Sequence, residues 1–375
     1  YAIDVTDPDQ PQLLWTLDNS GDFAELGLSF STPTTGVVQY GKTPTPVIMF
    51  GGGYDPDKDA AHGDDDEGNA IFIVAALTGE LVWKATHGSS TGAVSSAVFK
   101  HQGMIDSIPS DLAALDTNAD GITDRLYVGD SGGTVWRVDL PARTTDNRAA
   151  WFVSELANLG RADTHTDKPA HDRRFFHRPD VVMSADEYGA FDGVLIGSGN
   201  RASPRATAVE NYFFLLKDRH TTTGEVAVRP YNAATFDSTQ NAAGLTDVTD
   251  ICDNASVCAA AAANGWKLAL LEPGEKVLAA AVTKLGKVYF TSYLPESPHS
   301  ETMPSCAPAT GAGRLYAVRL DNGAPVANAD NAAGEQAQLR QWYPGTGGAD
   351  RRFTPGTGSA VADNRTKQSA QDLLV

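Results

Sequence analysis

The feature that most constrains the fold is a recurring pattern: a β-rich run, a turn bearing Gly or Pro, and a second short β-rich run. Copies occur at residues 71–84, 211–228 and 313–326, and a copy with a longer turn occurs at residues 1–15. This pattern is typical of a β-hairpin. Hairpins repeated along a chain favour a radial β architecture.

Blade length sets the expected size of this architecture. At about 40–50 residues per blade, the chain predicts an all-β, modified β-propeller of roughly seven blades with quinoprotein-like repeats. We expect one domain over residues 1–375, because helical periodicity is scarce and strand-length apolar runs are spread evenly. Two polar segments, residues 54–69 and 230–263, lack the apolar content for a core and are predicted to be irregular insertions.

The net charge, the length of the apolar runs and the first residues of the chain each support a separate expectation. The formal net charge is −18, so nucleic acid and anionic membrane surfaces are disfavoured as partners and cations are favoured. The sequence contains no apolar run of about 18 residues, so we expect no transmembrane helix. The chain begins at Tyr1, already in a strand-like run, which predicts a C-terminal fragment or a mature product of a larger protein.

One short loop has the donor pattern of a calcium site. In the run from Asp116 to Asp124, oxygen donors fall at loop positions 1, 3, 5 and 9, and Gly121 falls at position 6, where an EF-hand loop turns sharply. Calcium takes six to eight oxygen ligands, whereas magnesium rarely uses a dedicated protein cage. The predicted Ca²⁺ ligands are Asp116, Asn118, Asp120, the main-chain carbonyl of Ile122, and Asp124.

The loop departs from an EF-hand at its end. Position 12, which carries a bidentate Glu in an EF-hand, is Tyr127, and the loop runs into the predicted strand Arg125–Gly129 and not into a helix. We therefore expect an EF-hand-like loop on a β scaffold. The alternative is a solvated acidic turn in which Asp and Asn side chains cap their own backbone.

The segment around this loop carries a family pattern. Residues 107–111 precede the loop, and residues 124–130 and 132–140 follow it, so the calcium-loop segment spans 107–140. This segment resembles the C-terminal propeller of the PilY (also PilC) family of type IV pilus biogenesis factors and tip adhesins. Other runs share the resemblance: Leu26–Ser31, Gly51–Asp55, Gly68–Trp83, Gly197–Arg201, Gly274–Val277 and Gly313–Ala317.

The resemblance implies a function and a location. It implies a non-enzymatic, calcium-binding module that regulates type IV pilus extension against retraction, twitching motility and surface adhesion. It implies a bacterial protein outside the cell, at the cell surface or pilus tip and associated with the outer membrane. The implied partners are pilus components (pilins and minor pilins) and host-cell receptors.

Other clusters have weaker patterns. The acidic run between Asp55 and Glu67 matches no ligand template, so a solvated surface loop is favoured over a second cation site. His165, His171, Asp172, His177 and Asp180 share one stretch, but without zinc-site spacing, so structural hydrogen bonds are favoured. Three cysteines are present, and a disulfide between the first two is favoured over unrelated thiols: Cys252, Cys258 and Cys306.

Two other functions stay open. The strand-Thr-Gly-turn-Trp units resemble those of pyrroloquinoline-quinone dehydrogenases, whose propellers also use calcium, although no adjacent Cys pair or Asp-Glu base pair stands out. A host-receptor- or carbohydrate-binding propeller is the third reading. The recurring Trp15, Trp83 and Trp136 are predicted to pack between blades and not to line a ligand cage.

Overall fold

The computed structural model divides the chain into two compact units. The first comprises residues 1–159, 174–179 and 220–235, and the second comprises residues 160–173, 180–219 and 236–375. The structure describes the following residues: 1–60, 63–142, 145–146, 148–160, 168–221, 245–249, 264–295, 311–324, 326, 340–344, 351–353 and 360–362. The single domain over residues 1–375 stays a prediction.

The first unit contains three sheets of consecutive strands. A ribbon pairs β1 with β2, a six-stranded sheet has the order β3-β4-β5-β6-β8-β7, and a four-stranded sheet has the order β12-β11-β10-β9. All neighbours are antiparallel except β6 and β8. The strands are β1 Ala2–Asp4, β2 Gln12–Trp15, β3 Thr34–Val38, β4 Thr45–Gly51, β5 Ala70–Ala75, β6 Leu81–His87, β7 Gly92–Ala93, β8 Val98–His101, β9 Ala113–Leu115, β10 Arg125–Gly129, β11 Thr134–Asp139 and β12 Phe152–Asn158. Short 3-10 turns occur at Gly21–Phe23, Pro56–Asp59 and Arg148–Ala150.

The core of the first unit lies between its two larger sheets. Strand β5 is a continuous apolar run and is buried along nearly its whole length. Strands β10 and β11 are buried throughout although they include Arg125, Arg137 and Asp139. Trp83, Trp136 and Trp151 are fully buried in one cluster with Val, Ile, Leu and Met side chains from both sheets. The prediction that Trp83 and Trp136 pack between sheets is confirmed.

The second unit repeats this plan. One sheet has the order β13-β14-β15-β17-β16, another has the order β18-β20-β21-β22 with β19 also paired to β20, and a ribbon joins β23 to β24. The elements are α1 Lys168–His171, β13 Asp180–Asp186, β14 Gly189–Gly197, β15 Tyr212–Asp218, β16 Thr246–Asp247, β17 Gly265–Ala269, β18 Lys276–Val277, β19 Val282–Lys284, β20 Lys287–Leu294, β21 Ala312–Arg319, β22 Arg340–Pro344, β23 Arg351–Phe353 and β24 Ala360–Ala362.

Strand β20 shows how sequence period sets burial in this unit. Its alternate residues are buried, as the period of two in a strand requires. On the buried face, Phe290 stacks on Phe213 of the neighbouring sheet with 3.8 Å between ring centroids. Phe290 also stacks on Tyr316 of β21 at 4.5 Å. This aromatic stack joins the two large sheets of the second unit.

The sequence repeat corresponds to a repeated hairpin turn. After β5, the Gly79 amide donates to the Ala75 carbonyl at 2.9 Å, and the Ala75 amide donates to Glu80 at 2.9 Å. After β21, the Gly323 amide donates to Arg319 at 2.9 Å, and the Arg319 amide donates to Ala324 at 2.7 Å. The two glycines have φ of 72° and 68°, a conformation that side chains disfavour.

A tryptophan docks on each of these turns. The Trp15 indole N–H donates to the carbonyl of Ala76 at 3.0 Å, and the Trp266 indole donates to Leu320 at 3.0 Å. Ala76 and Leu320 are equivalent positions, each directly after the last strand residue before the turn. The predicted packing role of Trp15 is therefore confirmed, and Trp266 is a counterpart that sequence reading missed.

The all-β class is confirmed, because the described residues form sheets with a single four-residue α-helix. They make four sheets of four or more strands and two ribbons. The number of blades stays a prediction. The copy of the repeat at residues 211–228 is confirmed through β15. Its turn and second run lie outside the described residues, as does most of the insertion 230–263. No described helix is long and apolar enough to cross a membrane.

Candidate calcium-binding hairpin

The predicted calcium loop is the connection of a β-hairpin. Strand β9 pairs antiparallel with β10, and Leu115 lies opposite Arg125. The nine residues 116–124 that close this hairpin are those predicted as the loop, and β10 follows directly, as expected. The scaffold expectation is therefore confirmed: a strand, not an EF-hand helix, follows the loop.

Several ligand oxygens face the inside of the loop. The Asp116 carboxylate accepts from the amides of Asp120 at 3.1 Å and Gly121 at 2.7 Å. The Asn118 carbonyl oxygen accepts from the Asp120 amide at 2.9 Å, and Asp120 accepts from the Ile122 amide at 2.8 Å. The structure thus brings together Asp116, Asn118 and Asp120. Such bonds from Asp and Asn side chains to their own backbone are also those that the alternative of a solvated acidic turn predicts.

The backbone of the loop turns at two left-handed residues. Gly121 has φ of 85°, which explains why glycine stands at position 6. Ala119 has φ of 61°, an uncommon conformation for a residue with a side chain. Sequence reading predicted the turn at Gly121 and missed the one at Ala119. The tightness of the turn follows from both residues.

The second half of the loop is anchored in the protein. Asp124 is 2% exposed, and its Oδ2 accepts from both the amide and the hydroxyl of Thr117 at 2.8 Å. The Thr123 amide donates to Val37 of β3 at 2.7 Å, and the Asp124 carbonyl accepts from Leu140, directly after β11, at 2.8 Å. The end of the loop is therefore tied to β3 and to the end of β11.

Tyr127 explains the departure from the EF-hand. It is fully buried in β10, opposite Ala113 and Arg137 of the neighbouring strands. A side chain at this position belongs to the core of the sheet. A twelfth-position ligand is incompatible with a strand that begins at Arg125.

The loop carries negative charge without an internal partner. Burial, followed by the charges of Asp120 and Asp116, raises the pKa of Asp124, although hydrogen bonds from Thr117 oppose the shift. In the described part of the chain, no lysine, arginine or histidine forms an ion pair with any of these three carboxylates. Repulsion among the three carboxylates therefore remains.

The donor chemistry fits a hard cation. The set comprises three carboxylates, one amide oxygen and the main-chain carbonyl of Ile122, all oxygen donors of the kind that calcium uses. Among the described residues, no three His, Cys, Asp or Glu side chains are gathered closely enough to form a metal centre. The loop thus supplies the donors, but its three carboxylates do not converge on one point.

A second acidic segment behaves differently. The run from Asp55 to Glu67 is a solvated loop only in part: Asp57, Asp59, Asp64 and Asp66 are exposed, whereas Asp55, Lys58 and Asp65 are buried. The Lys58 ammonium donates to the Gly63 carbonyl at 2.8 Å, lies 3.3 Å from Asp65, and forms an ion pair with Asp106. We call Lys58, Asp65 and Asp106 the lysine cluster. One internal ammonium thus pairs with both acids of the cluster and offsets part of their charge.

The lysine cluster ties distant segments together. Asp65 accepts from the Ser107 amide at 2.7 Å and from the Ser131 hydroxyl at 3.0 Å. Asp130 is completely buried and accepts from the Trp136 indole at 2.7 Å. Burial and the nearby charge of Asp106 raise the pKa of Asp130. These contacts lie on both sides of the β9–β10 hairpin in the sequence.

The described residues of the other predicted clusters are not gathered into a metal centre. His171 ends α1, and its Nδ1 lies 3.4 Å from the Arg173 guanidinium. Asp172 and Asp180 belong to the second unit with His171, whereas His177 belongs to the first. His165 lies outside the described residues, as do Cys252, Cys258 and Cys306. The disulfide stays a prediction.

The fold defines the chain as an all-β protein of antiparallel, blade-like sheets, and the hairpin defines a candidate cation site on it. Residues 1–171, which include the hairpin, match the model of the PilY1 beta-propeller domain. The resemblance to the PilY family that the sequence predicts is thereby confirmed, together with the propeller class.

Two proteins of similar sequence are PilY1 proteins. The type IV pilus biogenesis factor PilY1 of Pseudomonas aeruginosa (strain UCBPP-PA14) is 32% identical over 147 residues, 39% of this chain and 11% of that protein. A PilY1 homolog of Xylella fastidiosa is 28% identical over 165 residues, 43% of this chain and 10% of that protein. The chain therefore matches only about a tenth of the length of these relatives.

The crystal structure of the P. aeruginosa PilY1 C-terminal domain has the same fold. It aligns with a TM-score of 0.62 and 17% identity, covering 97% of this chain and 76% of that domain. A quinohemoprotein alcohol dehydrogenase from Comamonas testosteroni aligns at a TM-score of only 0.31. That score carries no argument for a dehydrogenase.

Proposed function

We propose that this chain is a calcium-binding, non-enzymatic module of a type IV pilus biogenesis factor. The observation that carries the proposal is the β9–β10 hairpin, in which three carboxylates share one loop without a basic partner among the described residues. It lies within residues 1–171, which match the PilY1 propeller model. The pilus context rests on relatives named type IV pilus biogenesis factors.

The side chains of Asp116, Asn118, Asp120 and Asp124 and the carbonyl of Ile122 would hold the ion. A bound calcium ion supplies positive charge that offsets the carboxylate repulsion. Asp116 and Asn118 orient the loop amides, and Thr117 positions Asp124. Because the loop end is bonded to β3 and to the end of β11, a change in its conformation reaches two sheets.

This connection supports a regulatory function. A ligand that binds one loop conformation better than another shifts the population between them. We propose that this shift alters the surface offered to pilins and minor pilins, and so biases pilus extension against retraction, with consequences for twitching motility and adhesion. The proposed location is the bacterial cell surface or pilus tip, with outer-membrane association. Host-cell receptors are further proposed partners.

Calorimetry of calcium binding tests the site. The wild-type chain should bind one calcium ion, and Asp116→Asn and Asp124→Asn should each weaken binding by at least about tenfold, because each removes ligand charge. The matched control is Asp7→Asn, since Asp7 also accepts from an amide of its own exposed turn, that of Asp9 at 3.1 Å. Binding that survives in both loop variants, or falls equally in the control, contradicts the site.

Pilus assays test the function separately. In cells that produce the whole protein, neutralising Asp116 and Asp124 together should change surface piliation and twitching, while Asp7→Asn should not. Normal piliation and twitching in a strain whose purified loop variant has lost calcium binding would reject the regulatory role and leave the calcium site intact. Dye reduction with pyrroloquinoline quinone and an alcohol would instead support the dehydrogenase alternative.

A further inference from the structure

The connection between β14 and β15 contains a stretch that is exposed and yet firmly bonded. Residues 201–208 are all exposed, and none of them belongs to a strand. We call residues 199–208 the arginine loop, because they include Arg201 and Arg205. This loop belongs to the second unit, whereas the β9–β10 hairpin belongs to the first. The function proposed above therefore does not account for the arginine loop.

The middle of the arginine loop is a β-turn. The Ala206 amide donates to the Ser203 carbonyl at 3.2 Å, which closes a turn of four residues. Pro204 occupies the second position of this turn, where its fixed φ is favourable, and Arg205 occupies the third. The side chain of Arg205 therefore extends from the tip of a closed turn.

A buried lysine holds this turn. Lys276 lies in β18 and is 2% exposed. Its ammonium donates to the carbonyls of Pro204 and Ala206 at 2.7 Å each and to that of Ser203 at 3.4 Å. Buried lysines usually pair with a carboxylate, whereas here three main-chain carbonyls of the loop meet the three N–H groups of the ammonium. Burial lowers the pKa of Lys276 to about 8, so the ammonium is charged at pH 7 and fixes the backbone on both sides of Arg205.

Close packing completes the base of the loop. Gly274 has φ of 74°, and a Cβ at this residue would lie 2.8 Å from the Cα of Thr207, so the approach requires glycine. At the start of the loop, the Asn200 side chain accepts from the Ser203 amide at 3.1 Å and closes the stretch that contains Arg201. The backbone that carries both arginines is therefore fixed in the free chain.

The two arginines of the loop are unpaired. In the described part of the chain, Arg201 and Arg205 form no hydrogen bond, ion pair or ring contact. Other arginines of the second unit differ, because Arg219 and Arg319 each form an ion pair with an aspartate, at 2.8 Å and 3.0 Å. In a chain with a net charge of −18, the loop thus presents positive charge that no acid within the described residues offsets.

The chemistry of the loop favours carboxylates on a short segment. A guanidinium binds a carboxylate through two parallel hydrogen bonds. An extended polyanion, such as nucleic acid or an anionic membrane, would also lie against the many acids of this chain. A short segment meets only charges within a Debye length, about 8 Å at physiological salt. A backbone that is fixed in advance also reduces the entropy lost on binding.

We propose that the arginine loop binds an acidic polypeptide segment, with carboxylates of the segment on Arg201 and Arg205. Lys276 is a positioning residue in this proposal: it does not touch the segment, and it holds the turn that presents Arg205. The loop lies outside the calcium hairpin, so the proposal does not rest on calcium binding.

Fluorescence anisotropy tests the proposal on the intact chain at pH 7 and about 0.15 M salt, without added calcium. The probe is a short peptide of repeated Glu-Gly with blocked ends and an uncharged fluorophore. We expect saturable binding, at least about tenfold weaker for the same peptide with Gln in place of Glu. Inorganic phosphate and a short oligothymidylate serve as competitors, and each should need at least about a tenfold higher concentration than unlabelled Glu-Gly peptide to displace the probe.

Arginine variants locate the site. Arg201→Gln and Arg205→Gln should each weaken probe binding about fivefold or more, because each removes a charge-assisted contact. Both side chains are exposed, so these substitutions leave the packing of the unit unchanged. The matched control is Arg178→Gln, since Arg178 is an exposed arginine of the first unit. The control should change affinity by less than about twofold.

A double-variant cycle tests the role of Lys276. Lys276→Met keeps the buried stem and removes the bonds to the loop, so it should weaken probe binding about threefold or more. In the Arg205→Gln background the same substitution should change affinity by less than about twofold, because its effect passes through Arg205. Melting temperatures show whether each variant is folded. Pro204→Gly, which loosens the exposed turn and leaves the buried base intact, repeats the cycle if Lys276→Met does not fold.

Several results would overturn the proposal. Equal affinity for the Glu and Gln peptides, or unchanged affinity in both arginine variants, would reject the loop as the site. Displacement of the probe by phosphate or oligothymidylate as readily as by the peptide would indicate general attraction of anions. Equal effects of Lys276→Met in the two backgrounds would reject its positioning role. A dimer in light scattering that Arg201→Gln with Arg205→Gln dissociates would make the loop a contact between two copies of the chain.

Discussion

Replacing Lys58 with methionine would remove the only charge of opposite sign from the lysine cluster while keeping a side chain of similar length. Lys58 is 2% exposed and Asp65 is 6% exposed. The ammonium lies 3.3 Å from the Asp65 carboxylate and is also paired with Asp106. The substitution would therefore remove the Lys58 ammonium from both buried carboxylates.

The magnitude follows from burial. Removing one member of a buried ion pair typically costs about 3–5 kcal/mol, because the remaining charge is left uncompensated. The methionine retains most of the apolar packing of the lysine stem, so the loss is mainly electrostatic. For a unit of this size, each kcal/mol lowers the melting temperature by about 2–4 °C, so we expect a decrease of about 6–20 °C.

Thermal and urea unfolding of the purified chain measure this loss. Because the chain comprises two compact units, the transition of the first unit should be followed by tryptophan fluorescence, since Trp83, Trp136 and Trp151 lie in its core. Lys42→Met is the matched control, because Lys42 is exposed. The control should shift stability by less than about 0.5 kcal/mol.

A second substitution separates charge from packing. In the Lys58→Met background, Asp106→Asn removes one of the two carboxylates that lost the Lys58 ammonium, and it should restore about 1–3 kcal/mol of the free energy of unfolding. In the wild-type background the same substitution should destabilise the protein. If Lys58→Met lowers the free energy of unfolding by less than about 1 kcal/mol, the ion pairs of the lysine cluster contribute little to stability. If Asp106→Asn fails to restore stability in the double variant, the loss arises from packing.

Two further changes test the second unit. Trp266→Phe should cost about 1–3 kcal/mol in urea unfolding, because it leaves the Leu320 carbonyl without its indole donor. A variant as stable as wild type would show that the docked tryptophan contributes only its ring. Hydrogen bonds from Arg219, and then from Lys217, lower the pKa of Asp186 from its ordinary value of 3.8. The ion pairs of Asp186 therefore stabilise the fold above about pH 4–5 and lose this contribution as the pH falls through the lowered pKa. Asp186→Asn should thus cost about 1 kcal/mol at pH 7 and clearly less at about pH 2, where part of the contribution has been lost; an equal loss at both pH values would contradict the assignment.

The sequence predicts the hairpins well because their determinants are local. A β-rich run, a glycine with a positive φ and a second run are neighbours in the chain, so the turns at Gly79 and Gly323 can be read directly. The same holds for the calcium hairpin, since its donors lie within nine residues and Gly121 marks its turn.

The lysine cluster could not be read in this way. Asp106 is 48 residues from Lys58 in the chain, so the acidic run gives no sign that a distant carboxylate meets its lysine. Composition favours a solvated loop because the run from Asp55 to Glu67 holds seven acids and only one lysine. Most acids of the run are exposed, as expected, but Lys58 is buried and pairs with carboxylates from two segments, Asp65 and Asp106.

The two-residue turn Leu285-Gly286 between β19 and β20 shows a different limit of prediction from sequence. Asn-Gly or Asp-Gly would have marked the hairpin, whereas Leu-Gly does not, although Val282 and Val288 flank it in the alternating pattern of two strands. The missed signal was the pair of short β-rich runs separated by two residues ending in glycine. Tertiary structure, not turn propensity, fixes this conformation.

The two acidic groups of the first unit meet the same physical problem in different ways. In the lysine cluster, a compensating cation, the Lys58 ammonium, is covalently part of the chain and pairs with both acids at any ion concentration. In the proposed calcium hairpin, Asp116, Asp120 and Asp124 have no such partner among the described residues, and we propose that an exchangeable cation supplies the opposite charge. A chelator should therefore loosen the hairpin and leave the lysine cluster intact. Hydrogen exchange measures both effects, because the Gly121 amide donates to Asp116 of the hairpin and the Ser107 amide donates to Asp65 of the cluster. Equal protection of the Gly121 amide with calcium and with EDTA would mean that the loop is closed by its own hydrogen bonds alone.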